Sequence, residues 1–283
     1  MLSLLAAALL AGSAAAAPQL GLVVNADASY AVTLDGAVWL QSAAPGYFIS
    51  YDNARQKLTL DAAPTPVNGA NYSGFAATFN GNTFGAEFQL YPAANAIVFV
   101  QHFPKALAGM AVNGGSSRDL ASGFPVFAFS ENANLGWLTW PETMCNGETG
   151  LFTKAGSGNS GLSSDGGSPL VLFNKTAATL VLGAYSGFMT ANIGVYASLN
   201  GNLGAGYNGM LEAVPAGHRH ETVLVAGQGV NDTVMAYGDL LLARSGKHRT
   251  RPDADLVIST LGYWTDKRVL ARKRARPSAR RPD

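Results

Sequence analysis

Apolar and polar positions alternate along most of the chain in short runs, punctuated by Gly, Asn, Asp and Pro. Period-two alternation marks strands with one buried face. In "YAVTLDGAVWLQS" the pair Asp35-Gly36 separates two β-prone runs. That spacing suits a two-residue hairpin turn, in which glycine accepts positive φ. "YFISY" and "KLTL" follow, divided by a turn at Asp52-Asn53. A second hairpin is predicted in "YSGFAATFNGNTFGAEFQLYP", turning at Asn80-Gly81-Asn82. "AIVFVQHFP" is too short and too β-branched for a helix, so it is expected as a buried strand. Further strands are predicted at "FPVFAFS", "LGWLTW", "PLVLFN", "ATLVLGAY", "IGVYASL", "GMLEAVP" and "HETVLVAG", with loops at 113–119 and 146–168.

Many short strands at close spacing, with no blade or solenoid period, predict a mainly β fold. Each sheet must bury one face, so the expected architecture is a two-sheet antiparallel β-sandwich.

The pattern changes near the C-terminus. In "VNDTVMAYGDLLLARSGK", Val234, Tyr237 and Leu241 fall at helical spacing, and Leu240 widens the stripe. Asn231 or Asp232 is available as N-cap, Arg244 suits the last turn, and Gly246 sits where a C′ residue belongs. A helix is predicted over 231–245. A basic linker, "KHRTRPDAD", then leads into the apolar run "LVISTLGYW". The expected organisation is a signal peptide at 1–17, a β-sandwich at 18–228 and a linker helix with its basic linker at 229–254. A further, stray strand at 255–266 and a disordered basic tail at 267–283 complete it.

Composition sharpens this picture at both ends. Leu2 to Ala17 is an uncharged apolar run ending in small residues, as a secretory signal does, with cleavage expected near Ala15–Ala17. At this length it is short for a membrane span, which needs about 20 residues, so no membrane association is expected after cleavage. The net charge of +1 averages two unlike parts. Residues 1–266 carry 11 basic and 17 acidic side chains, whereas 267–283 carry 8 basic and one acidic. No basic motif elsewhere extends the tail, so no nucleic-acid partner is expected. Cys145 is the sole cysteine, which excludes an intrachain disulfide, and its acidic surroundings do not activate a thiolate. Asn71, Asn174 and Asn231 each open an N-x-S/T sequon and are candidate glycan acceptors in a secreted chain.

Familiar catalytic motifs are absent: there is no G-x-S-x-G elbow, no H-E-x-x-H and no P-loop. "GSGNSG" at 156–161 and "GAGYNG" at 204–209 match G-x-G-x-x-G, but neither opens a long helix as a dinucleotide site requires. In a glycine-rich chain both are chance matches, and no cofactor is expected. "GHRHE" places His218 and His220 on one face of a strand and Glu221 on the other, which is not a cupin-like ligand set, so no metal is expected. Trp137 and Trp140 should face opposite sides of a strand. Core packing accounts for either, and the alternative is a flat platform for a sugar ring.

With "GFPVFAFS", "LGWLTW", "VPAGHRHETVLVAGQGVNDTVMAYGDLLL" and above all "STLGYWTD", the chain resembles the N-terminal part of large glycoside hydrolase-like proteins, similar in layout to the α-galactosidase and raffinose synthase group. The resemblance implies a β-supersandwich, a linker helix and then a (β/α)8 barrel, whose first strand would be 255–266. It implies that the catalytic carboxylates lie on later barrel strands. Trp264 and Asp266 would at most contact substrate, and the tail reads as a truncated or frameshifted end. The expected function is therefore a non-catalytic sandwich domain of a secreted glycoside hydrolase-like protein, with carbohydrate as ligand. An independent carbohydrate-binding or cell-surface module is the alternative. A sandwich-fold lyase or hydrolase would need clustered Asp, Glu, His or Tyr in a cleft. Glu87, Glu131, Glu142, Glu148, Asp165, Glu212 and Glu221 are expected mostly beside turns or in Gly-rich loops, solvated and without chemistry.

Overall fold

The computed structural model describes residues 17–112, 114–115, 119–128, 135–140, 148–151 and 168–249. The stray strand, the basic tail, Cys145, Trp264, Asp266, the glycine motif at 156–161 and all but the last residue of the signal segment lie outside these. The chain divides into two compact units, Met1–Leu241 and Leu242–Asp283.

In chain order the strands are β1 (Leu20–Val24), β2 (Tyr30–Leu34), β3 (Ala37–Gln41), β4 (Phe48–Tyr51), β5 (Ala54–Gln56), β6 (Thr65–Asn68), β7 (Ser73–Phe79), β8 (Phe84–Tyr91), β9 (Ala96–Phe103) and β10 (Leu107–Ala108). They continue as β11 (Leu120–Phe127), β12 (Leu135–Thr139), β13 (Glu148–Leu151), β14 (Leu170–Asn174), β15 (Ala178–Ala184), β16 (Ala191–Tyr196), β17 (Asn202–Asn208), β18 (Ala213–Val214) and β19 (His218–Gln228). One α-helix, α1 (Val230–Arg244), follows.

A large sheet runs in the order β13-β12-β14-β15-β19-β9-β8-β7-β6, and a smaller one in the order β16-β17-β11-β4-β5. The strands β1-β2-β3 form a third sheet, and β10 pairs with β18. The pairings within the two main sheets are antiparallel. The fold is thus the mainly β sandwich that the alternating pattern predicts.

Turn chemistry sets the registers. Asp35 and Gly36 both take positive φ, 49° and 78°, and Leu34 pairs directly with Ala37. Asp52 and Asn53 are also left-handed. This tight turn returns the chain at once, so the partner strand is Ala54–Gln56 rather than the expected "KLTL". Within "KLTL", Leu60 makes only an isolated bridge to Phe79. Of "GMLEAVP", only Ala213–Val214 is strand. The glycine motif at 204–209 falls largely within β17, paired on both edges. Its glycines serve packing, because a Cβ on Gly206 would lie 2.1 Å from the Ser122 carbonyl oxygen.

The core between the sheets is aromatic. Phe79, Phe84, Phe88, Phe99, Phe103, Phe124 and Phe127 are fully buried there. Tyr30 sits among them with its ring edge-on to Phe88, Phe124 and Phe127. The opposite face of the large sheet holds a second cluster of Val98, Val100, Val171, Val181, Val223 and Val225. Helix α1 covers it with Val234, Tyr237, Leu240 and Leu241, the stripe its sequence predicts. Tyr237 lies against Gly183, where a Cβ would come within 2.5 Å of the phenol, and it donates to the Ala184 carbonyl at 2.8 Å.

The helix begins one residue earlier than expected, so Asn231 and Asp232 lie in its first turn instead of at the cap. Gly229, at φ 87°, lets the chain pass from β19 straight into α1, and its carbonyl accepts from both the Thr233 amide and hydroxyl. At the other end Gly246 is left-handed, with the Lys247 amide bonded to the Leu242 carbonyl and the Gly246 amide to that of Ala243. This is the glycine-terminated cap that the sequence implies.

Candidate functional site

Strand β8 reads "FGAEFQLY". Phe84, Ala86 and Phe88 point into the inter-sheet core, so Glu87, Gln89 and Tyr91 point outward. The register brings their neighbours beside them. Glu87 and Glu221 both pair with Val100 of β9, whereas Gly85 and Arg219 both pair with His102. Four charged or titratable side chains thereby share one patch on the outer face of the large sheet.

The Glu87 carboxylate is the hub. Its Oε2 lies 2.9 Å from His102 Nε2 and 3.6 Å from an Arg219 terminal nitrogen. Its Oε1 accepts from Gln89 Nε2 at 2.6 Å and from the Tyr72 hydroxyl at 3.2 Å. The Tyr91 hydroxyl donates to Gln89 Oε1 at 2.8 Å, and the Tyr72 and Tyr91 rings lie 5.2 Å apart. Arg219 Nε is 3.9 Å from Glu221 Oε1, so one guanidinium bridges two carboxylates. Side-chain exposure is 12% for Glu87 and 13% for Glu221, so both acids sit within strands and largely buried. For these two acids the expectation of solvation beside turns is corrected, because antiparallel register places them within the sheet; Glu131, Glu142 and Asp165 lie outside the described residues. Glu212, by contrast, is exposed between β17 and β18.

The hydrogen bond from His102 is the main cause that pulls the Glu87 carboxyl down to about 2; the Gln89 amide and the charges of His102 and Arg219 add to it, against the opposing effect of burial. Burial pushes the Tyr91 phenol up to about 12. At neutral pH the patch therefore presents a fixed anion, a guanidinium, an imidazole and two tyrosine rings. Such a set can grip a ligand rich in hydroxyl groups. Glu87, ionised at neutral pH, is not itself the protonated carboxyl that a glycosidase uses as general acid.

On the inner face the alternation of β19 turns His218 and His220 toward β17, opposite to Glu221, as the sequence predicts. The Tyr207 hydroxyl hydrogen-bonds His218 Nε2, and its ring lies 4.3 Å from that of His220. His220 is 1% exposed, and neither ring nitrogen meets a hydrogen-bond partner among the described residues. Burial, with a smaller contribution from His218, pushes its pKa down to about 3. Gln101, directly opposite His220 in register, is also fully buried. Among the described residues no group of three or more His, Cys, Asp or Glu could hold a metal ion.

The other sequence candidates are dispersed. Trp137 is packed in the inter-sheet core at 2% exposure, and Trp140 is partly buried against the valine cluster on the opposite face. Asn71 and Asn231 are exposed. Asn174 is half-buried and its Oδ1 accepts from the Thr176 amide, the Thr176 hydroxyl and the Ala178 amide. Sequence reasoning missed Tyr72, Gln89, Tyr91, His102 and Arg219. For all but Tyr72 the signal was the polar residues among the outward positions: Glu87, Gln89 and Tyr91 in β8, His102 in β9, and Arg219 and Glu221 in β19.

No family model matches the sequence, and no curated protein does. The fold does have counterparts among solved structures. Ligand-free alpha-N-acetylgalactosaminidase NagBb from Bifidobacterium bifidum aligns over 82% of this chain and 39% of its own, at 10% identity and a TM-score of 0.52. Its complex with GalNAc covers the same shares at 9% identity and a TM-score of 0.54. A Glycoside Hydrolase Family 97 enzyme from Pseudoalteromonas sp. aligns over 76% and 36%, at 10% identity and a TM-score of 0.49. At these identities the likeness is one of fold. The chain spans well under half the length of the NagBb structures, and shares the fold of that part of them.

Proposed function

We propose that this chain acts as a non-catalytic β-sandwich domain of a glycoside hydrolase-like protein, supporting a carbohydrate-active site that lies outside the described residues. The observation that carries this reading is the alignment of most of the chain with little more than a third of a glycosidase. The ionised state of Glu87 agrees with it, since a carboxyl already deprotonated near pH 2 cannot protonate a leaving group at neutral pH. Purified protein is expected to leave aryl α- and β-glycosides of galactose, glucose and N-acetylgalactosamine intact. Release of the aryl group, abolished by Glu87→Gln or Glu221→Gln, would assign chemistry to the sandwich and overturn the reading.

The outer-face patch favours a second reading, an independent carbohydrate-binding module. There the Tyr72 and Tyr91 rings would meet sugar faces, while Glu87 and Arg219 would meet hydroxyl groups.

Secretion belongs to the same proposal. Where the host glycosylates its secreted proteins, Asn71 and Asn231 are expected to carry glycans ahead of Asn174, whose amide oxygen already holds a turn together. Peptide mapping after enzymatic deglycosylation reads this directly, and occupancy at Asn174 alone would contradict it.

A further inference from the structure

We infer that a pocket on the outer face of the small sheet binds a carboxylate-bearing sugar unit. The inference rests on the carbohydrate-linked reading above but concerns a different face of the molecule. The pocket has a cavity volume of about 250 Å³, and its lining includes Pro45, Phe48, Arg55, Ser198, Asn200 and Asn202. It is smaller than the ~300–1,000 Å³ of drug-sized sites, which suits one ring rather than an oligomer.

The sequence folds to make this pocket in three steps. In β4, Ile49 points into the inter-sheet core, so Phe48 faces outward, into a separate small cluster with Leu120, Val126 and Leu199. The left-handed turn at Asp52-Asn53 then places Arg55 opposite Ser50, beside that cluster. The turn between β16 and β17, with Asn200 and Gly201 both at positive φ, closes the third side. Buried Asp119 fixes this turn by accepting from the Ser198 hydroxyl.

Among the described residues, Arg55 is the only charged one in the lining. Its guanidinium lies 4.2 Å above the Phe48 ring, and Nη1 donates to the Ser198 carbonyl at 2.6 Å. That bond occupies one of five N–H donors, and stacking orients the planar fork without consuming the others. Asp119 does not line the pocket; its carboxylate accepts from the Ser198 hydroxyl and the Leu120 amide, and its charge also acts on Arg55 from beneath. A pre-oriented cation next to an apolar wall and two asparagines matches a ligand with an anionic end, a C–H face and hydroxyl groups. Uronic acids have all three. A simple carboxylate has only the first, and a neutral sugar lacks it.

The test is a titration of the isotopically labelled full chain, followed by two-dimensional NMR, with methyl galacturonide, methyl galactoside and acetate as probes. The acidic sugar is expected to give saturable shifts at the Arg55 and Asn200 side chains and along 198–202. The other two probes should bind about ten-fold more weakly or worse, the worth of one charge-assisted hydrogen bond. Arg55→Met, which keeps an apolar cover over Phe48, and Asn200→Asp, on an exposed turn, should each weaken the acidic sugar by about ten-fold at an unchanged melting temperature. Equal affinity for acetate would mean a plain anion site, and equal affinity for the neutral sugar would remove Arg55's role. No shift in this pocket would end the proposal. Shifts at Glu87 and Arg219 are read in the same spectra, so failure of the outer-face reading is distinguishable from failure here.

Discussion

Replacing Tyr30 with alanine is expected to destabilise the sandwich by about 3–5 kcal/mol, the range for losing a large buried aromatic side chain. Tyr30 is wholly buried at the point where three sheets meet. It belongs to β2 in the third sheet, its ring touches Phe88 and Phe99 of the large sheet, and it also touches Phe124 and Phe127 of the small one. Its hydroxyl lies 2.6 Å from the Gly46 carbonyl oxygen and 3.0 Å from that of Val126, and it accepts from the Val126 amide at 2.7 Å. Tyr30→Phe separates the two contributions. It keeps the ring packing and removes only the hydroxyl's bonds; the Val126 amide still donates to the Gly46 carbonyl and the Ala43 amide to that of Val126, so the cost is about 0.5–1.5 kcal/mol. Urea unfolding curves of the three proteins should rank parent, phenylalanine and alanine in that order. An alanine variant as stable as the parent would show that the third sheet is not locked to the core through this residue.

Acidification is expected to destabilise the domain in two stages. The His220 pKa lies near 3 when folded, against about 6.5 in an unfolded chain. Between those values the unfolded state takes up a proton that the folded state refuses, so stability falls as pH drops below about 6.5. By pH 4.5 this amounts to about 2–3 kcal/mol, at 1.36 kcal/mol per pH unit across the window. Glu87 acts lower. Its folded pKa of about 2 lies below the usual value of 4.5, so its contribution is present above pH 4.5 and is lost as pH falls toward 2. Unfolding free energies measured from pH 7.5 down to pH 3 should show both limbs. His220→Gln should flatten the profile above pH 4.5 and also lessen its slope from there to pH 3, whereas Glu87→Gln should change only the part below about pH 4.5. A profile of the parent that is level between pH 7 and 4.5 would contradict the buried, neutral imidazole.

The strands and the single helix were legible because their signals are local. Asp35-Gly36 and Asn80-Gly81 demand left-handed turns, and the valines and glycines between them exclude long helices. The stripe of Val234, Tyr237 and Leu241 could be read for the same reason. Where local signals end, so does the legibility. The early return at Ala54 depends on two successive left-handed residues, Asp52 and Asn53, which either side of the turn could have absorbed. The outer-face patch depends on the register of three strands from two distant parts of the chain. Glu87 and His102 share a hairpin, yet Arg219 reaches them only because β19 pairs with β9 across more than a hundred residues. The pocket at Arg55 was invisible for the same reason, since Ser198 lies 143 residues away in sequence.

A titration of the labelled protein with an aryl α-N-acetylgalactosaminide tests most directly whether this domain recognises carbohydrate without cleaving it. Protein signals report binding and the aryl proton signals report hydrolysis in one sample. An intact glycoside after prolonged incubation is the predicted result, and saturable shifts at Tyr72, Glu87, His102 and Arg219 would add the binding role of the outer face. Release of the aryl group that Glu87→Gln abolishes would contradict the account.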